Sequence, residues 1–136
     1  MAGEKEFCSY EKFDEGCKKI AEWAKGRNFK SVYGPPRGGR VVAVRLSHLL
    51  GIQYIEATDD ITPDTLIVDD IVDSGKTVRR ILGRLLGDPD KYSIVCLFLN
   101  KEESDFTPRF SVYEKKQLLI QFPWETEESA CYDGTF

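Results

Sequence analysis

Three carboxylates, Asp69, Asp70 and Asp73, fall within five residues of one another. They follow the apolar run Leu66-Ile67-Val68 and precede Ser74-Gly75-Lys76-Thr77. Acids this close repel one another unless a cation or hydroxyl donors sit among them. The glycine-containing turn behind them opens a helix. Backbone N–H groups, hydroxyls and the positive end of the helix make such a turn a seat for phosphate. One ligand satisfies both halves: a sugar with vicinal hydroxyls on Asp69 and Asp70, a phosphate in the turn, and Mg²⁺ nearby. The stretch is not a Walker loop, because Asp70 stands where that motif has its first glycine. The same residues also read more plainly, as a charged strand end before a helix capped by Ser74 or Asp73.

A second candidate is Tyr33-Gly34-Pro35-Pro36-Arg37-Gly38-Gly39. Glycines beside an arginine let backbone approach an anion closely while the guanidinium clamps it. Taken alone, the segment is equally an ordinary turn with a solvated arginine.

These residues need a frame. Phe13, Cys17, Ile20, Ala21 and Ala24 recur at helical spacing, which predicts a helix over 10–26 stopped by Gly26. Strands are expected at 29–33 and 52–55, with a helix between them opened by Gly38-Gly39 and closed by Gly51. Residues 56–64 read as a polar loop. Leu66–Val68 is too uniformly apolar for a wet face and predicts a buried parallel strand. A helix over 77–86 and a buried strand over 93–99 follow, then a charged, irregular stretch over 100–116. A last strand is expected at 117–122, before an acidic tail. Strand and helix alternate, which predicts an α/β fold: an open, mainly parallel twisted sheet flanked by helices. Ligands in such sheets bind beyond the carboxyl ends of the strands, where both motifs fall.

At 136 residues the chain suits one domain, and its 41% apolar content is enough for a core without disulfide staples. The net charge of −4 argues against nucleic acid as a partner. No apolar run is long enough to span a membrane, and MAGEKEF lacks the pattern of a signal peptide. Cys8, Cys17, Cys96 and Cys131 are scattered without a C-x-x-C pair, which predicts free thiols in a reducing cytoplasm rather than a zinc site. His48 has no Ser, Cys or metal partner at useful spacing and reads as structural.

LIVDDIVDSGKT closely resembles the phosphoribosyl-pyrophosphate (PRPP) signature of the type I phosphoribosyltransferases. The resemblance implies that Asp69 and Asp70 hold the ribose hydroxyls with magnesium, and that Asp73, Ser74, Gly75, Lys76 and Thr77 surround the 5′-phosphate. It implies that Arg37, Gly38 and Gly39 form the pyrophosphate loop, with a cis peptide expected at Pro36–Arg37. Asp73 takes the family's place beside the purine N7, as proton handler. The last third is similar to the 6-oxopurine branch, which uses xanthine, guanine or hypoxanthine. Lys101 then faces O6, and QLLIQFPWE puts Leu119 where an aromatic usually stacks, Ile120 at the ring edge, and Glu125 near the 2-position or a second metal. Phe122 reads as core.

The implied architecture is a single domain with a small hood over about 100–125 and a tail over 126–136. Pairing into a homodimer or higher homo-oligomer is expected, with exposed apolar residues among 40–50 as the interface. Residues 56–65 are short and acidic where the family carries a long mobile lid. That departure leaves room for a PRPP- or nucleotide-binding regulator with weak or no transfer, and a transferase for a different base is the other alternative.

Overall fold

The computed structural model describes residues 5–126. The expected tail, apart from Thr126, and Cys131 lie outside the described residues. Twelve segments follow one another: β1 (Lys5–Phe7), α1 (Tyr10–Ala24), β2 (Ser31–Tyr33), α2 (Gly38–Leu50), β3 (Gln53–Ile55), a 3₁₀ turn (Thr58–Asp60), β4 (Thr65–Val72), α3 (Lys76–Leu82), a second 3₁₀ turn (Pro89–Lys91), β5 (Ser93–Leu99), β6 (Phe110–Glu114) and β7 (Leu119–Gln121).

Five strands form one sheet in the order β3-β2-β4-β5-β6, and every neighbouring pair is parallel. Successive side chains of a strand point to opposite faces, and the core divides accordingly. Leu66, Val68, Val95 and Leu97 pack with Phe13, Cys17 and Ile20 of α1 and with Val42 and Leu46 of α2. Ile67, Ile94 and Cys96 pack instead with Val78 and Ile81 of α3. Helices therefore cover both faces, which is why β4 and β5 read as unbroken apolar runs.

Local signals place the helices. The Ser9 hydroxyl accepts from the Lys12 backbone N–H at 3.1 Å and caps α1. Gly51, in the left-handed region at φ 65°, ends α2. Arg45 of α2 grips the Asp14 carboxylate of α1 with Nε at 2.6 Å and Nη2 at 3.3 Å, fixing the two helices to each other.

Two strands differ from expectation. Phe110–Glu114, expected to be irregular, is β6 and closes the main sheet beside β5. Its Phe110 ring lies nearly flat against Trp23 of α1, with centroids 5.5 Å apart. Lys5–Phe7, with no strand signal in the sequence, pairs in parallel with β7: Lys5 opposite Leu119, Glu6 opposite Ile120, Phe7 opposite Gln121. The small hood is thus built from both ends of the described chain. Phe122, 1% exposed, anchors it, stacked on Trp124 at 4.9 Å and edge-on to Phe98 at 5.8 Å. The third helix is shorter than expected, ending at Leu82, and Leu86 beyond it is exposed.

Candidate active site

β4 carries Asp69 and Asp70 to the carboxyl edge of the sheet, and both take their nearest hydrogen bonds from the chain itself. Asp69 Oδ1 accepts from the Asp70 N–H and Asp70 Oδ1 from the Ile71 N–H, each at 2.9 Å. Asp69 is only 7% exposed. Burial, then the charge of Asp70 beside it, pushes its carboxyl well above the usual range. Burial raises Asp70 too, against the hydrogen bonds it accepts from Asp69 and Ile71. A buried acid pair of this kind suits hydroxyl donors or a hard cation.

The first residues of α2 press directly on this pair. A Cβ on Gly38 would overlap the Asp70 carboxylate, and one on Gly39 would come within 3.1 Å of Asp69 Oδ1. Only glycine lets the backbone lie this close. The Pro36–Arg37 peptide is cis, as expected, and Arg37 stands exposed at the front of the loop.

Residues 73–77 form the turn behind the acids. Gly75 has φ 92° and sits against Asp105 and Phe106, so the glycine is needed for conformation and for space. The first α-helical bond runs from the Arg79 N–H to the Gly75 carbonyl, leaving the N–H groups of Thr77 and Val78 outside the helix ladder. They border a cleft of about 130 Å³ lined by Asp73, Ser74, Gly75, Lys76 and Thr77. Gly75, not Asp73 or Ser74, occupies the cap position of α3, while the Ser74 hydroxyl accepts from the Lys76 N–H at 3.4 Å.

Asp73 turns instead toward the hood. Its Oδ1 accepts from Lys115 Nζ at 2.7 Å and from Asn100 Nδ2 at 3.3 Å. Lys115 is 6% exposed and Asn100 is 1% exposed. A second cleft of about 240 Å³ joins the pieces: Arg37 and Gly38 from the loop, Asp69, Asp70 and Asp73 from the end of β4, Thr77 from α3, and Lys115, Leu119, Ile120 and Glu125 from the hood.

Most of the candidate residues therefore meet. Lys101 does not: it is exposed and does not line either cleft. Leu119 is half exposed at the rim and Ile120 is buried. Glu125 lines the cleft while its Oε1 accepts from the Phe122 N–H at 2.8 Å, so it also pins the hood chain. Asn100 and Lys115 went unnoticed in the sequence. Lys115 lies in the charged run Glu114-Lys115-Lys116, which reads as solvated. The only available signal was the Phe-x-Val-Tyr pattern of β6 just before it.

Among the described residues, no group of three His, Cys, Asp or Glu side chains is gathered to hold a metal. Mg²⁺ is commonly held by one or two carboxylates together with substrate phosphates and waters. Asp69 and Asp70 fit this donor set.

No protein-family model matches the chain. It is 28% identical over 121 residues to the xanthine-guanine phosphoribosyltransferase of Gluconobacter oxydans, a match spanning 72% of this chain and 70% of that one. The solved purine phosphoribosyltransferase of Pyrococcus horikoshii is 26% identical with a TM-score of 0.74, covering 90% of this chain and 95% of the other. The Helicobacter pylori xanthine-guanine-hypoxanthine phosphoribosyltransferase shares the fold, with a TM-score of 0.73 at 21% identity, covering 91% and 94%. The chain thus resembles purine phosphoribosyltransferases in sequence and shares their fold, a parallel sheet that carries the acid pair and the glycine loop at its carboxyl edge.

Proposed function

We propose that the protein transfers the 5-phosphoribosyl group of PRPP to N9 of a 6-oxopurine (xanthine, guanine or hypoxanthine), releasing pyrophosphate and a nucleoside monophosphate. The observation that carries this reading is the single cleft shared by the acid pair, the Arg37 loop, the edge of the 73–77 turn and the hood.

Each segment has a task on this reading. Asp69 and Asp70 accept hydrogen bonds from the ribose hydroxyls. The turn of Ser74, Gly75, Lys76 and Thr77 receives the 5′-phosphate through backbone N–H groups. Arg37 and the amides around Gly38 and Gly39 receive the pyrophosphate. Leu119 and Ile120 cover the base by dispersion alone, without the aromatic pair term of about 0.5–1.5 kcal/mol. As N9 attacks C1, the C1–O bond to pyrophosphate breaks and Asp73 accepts the proton from N7. Asp69 and Asp70 would hold Mg²⁺, which would supply charge neutralisation on the phosphate oxygens. Positioning and leaving-group stabilisation then dominate the catalysis.

A homodimer through the exposed Val41 and Val44 of α2 belongs to the same reading, as does a cytoplasmic location, which suits the unpaired thiols of Cys8, Cys17 and Cys96. No helix of the described residues is long and apolar enough to cross a membrane.

The test is nucleotide formation from PRPP and Mg²⁺ with xanthine, guanine, hypoxanthine, adenine and uracil in turn. Turnover of 6-oxopurines, lost in Asp73→Asn, is the expected result. The short segment between β3 and β4, with Asp59 and Asp60 exposed, favours one competing reading. Binding of PRPP or a nucleotide without turnover of any base would make the protein a regulator instead.

A further inference from the structure

Asp73, Asn100 and Lys115 form one row across the carboxyl edge of the sheet. Val72 pairs with Leu99, and Leu99 with Glu114, at the ends of β4, β5 and β6. Each of the three is the first residue beyond its strand. Two backbone bonds carry the ladder one step further: the Asn100 N–H to the Val72 carbonyl at 2.9 Å, and the Lys115 N–H to the Leu99 carbonyl at 2.8 Å. Neighbouring strands stand about 4.8 Å apart, so the lysine side chain reaches past the middle strand to the aspartate. Its Nζ donates to Asp73 Oδ1 at 2.7 Å and to the Lys116 carbonyl at 3.1 Å.

Packing alone gives no reason for a charge here. Lysines are almost never this buried unless paired, and Lys115 is 6% exposed. A buried ion pair is a weak source of stability, because an apolar side chain of similar volume often does as well. What the pair does achieve is orientation. Asp73 Oδ1 accepts from both Lys115 Nζ and Asn100 Nδ2, while Oδ2 has no hydrogen-bond partner among the described residues. Two donors on one oxygen fix the carboxyl plane and leave the other oxygen its full capacity to accept. The Asp73 side chain is 44% exposed and lines the cleft with Leu119 and Ile120, so that oxygen is within reach of a substrate. We infer that Lys115 is a positioning residue for the transfer: it holds Asp73 so that Oδ2 is the oxygen that takes the proton from N7. It acts through Asp73 and reads no atom of the base. This rests on the purine-transfer reading above.

The test is steady-state kinetics with PRPP and a 6-oxopurine on wild type, Lys115→Met, Asp73→Asn and the double variant. Lys115→Met is expected to lose roughly 10- to 100-fold in kcat, the scale of a misplaced reacting group, with KM for both substrates nearly unchanged. In the Asp73→Asn background the same substitution should cost little more, because the carboxylate it orients is gone. The preference for 6-oxopurines over adenine should be the same in wild type and Lys115→Met. If the Met variant does not fold, Lys115→Gln serves: it keeps an N–H donor without the charge and should show the same pattern at smaller size. A kcat that the Lys115 variant leaves unchanged overturns the inference. So does an equal loss in both backgrounds, which is what a merely structural lysine would give. A rise in KM alone, or a collapse of the base preference, also overturns it, because Lys115 would then touch substrate. A wild type that turns over no base overturns the purine-transfer reading itself, and this inference with it.

Discussion

Gly38, the first residue of α2, lies so close to Asp70, near the end of β4, that a single methyl group on the glycine would overlap the carboxylate. Two segments more than thirty residues apart are thereby locked at one point, and the loop that carries Arg37 is fixed against the acid pair. Gly38→Ala should force α2 or Asp70 to move, at a cost of about 1–3 kcal/mol, the usual range for overpacking. Urea unfolding measures the stability loss, and PRPP affinity should fall in the same variant. An alanine variant with wild-type stability and affinity would show that the contact is slack.

Asp69 gives a pH dependence with a definite sign. Its native carboxyl is held well above the usual range by burial and by Asp70, so the folded state keeps a proton that the unfolded chain releases. The stabilisation is therefore present at low pH and is lost as pH rises through the native value. Without ligand, the protein should gain thermal stability on going from about pH 8 toward about pH 5. Asp69→Asn should be the more stable protein at the upper end, with the difference shrinking on acidification. Asp14 works in the opposite sense, since its hydrogen bond from Arg45 lowers it, but that contribution is lost only at more acidic pH. A melting temperature that rises with pH in wild type and not in the variant would contradict the assignment.

Asp73, the proton acceptor of the proposed reaction, is held in a fixed orientation by Lys115 and Asn100. Asp73→Asn keeps the shape and removes the charge. A drop in kcat of roughly 10²- to 10⁴-fold is expected, the range for loss of a general acid or base. Steady-state kinetics with a 6-oxopurine reads it, and KM for PRPP should change far less. A rise in KM with kcat unchanged would point to a binding role alone.

Cys17 should be inert in the folded protein. Burial pushes its thiol up to about 12, and the side chain is fully enclosed between α1 and the sheet. Iodoacetamide at about pH 8 should label it only after denaturation, because the thiolate is the reactive form. Peptide mapping by mass spectrometry decides this, and native labelling would mean that α1 opens readily.

The sheet, the acid pair and the glycine turn behind it were legible because their signals are local. β4 and β5 announce themselves as apolar runs, and the acids and the turn glycine are adjacent in sequence. The hood was legible only in part. β1 is three residues long, Lys5-Glu6-Phe7, without alternation, and it exists because its backbone finds β7 more than a hundred residues later. Pairing that depends on a distant partner leaves no mark on a short polar segment. β6 was readable in principle from Phe110, Val112 and Tyr113, but the charged residues on both sides hid it. Lys115 was missed for a similar reason: a lysine in a charged run looks solvated until Asp73 is seen beside it. Lys101 was placed by resemblance, and the structure leaves it exposed, after buried Asn100 has already turned toward Asp73.

The most direct measurement is calorimetric titration of PRPP with Mg²⁺ into wild type and Asp70→Ala. If the acid pair, the Gly38 loop and the 73–77 turn form one seat, the wild type binds one PRPP per chain, Mg²⁺ is required, and Asp70→Ala weakens binding at least about tenfold, as expected for loss of a charged hydrogen-bond acceptor. No PRPP binding by the wild type, or equal binding by the variant, would contradict the account.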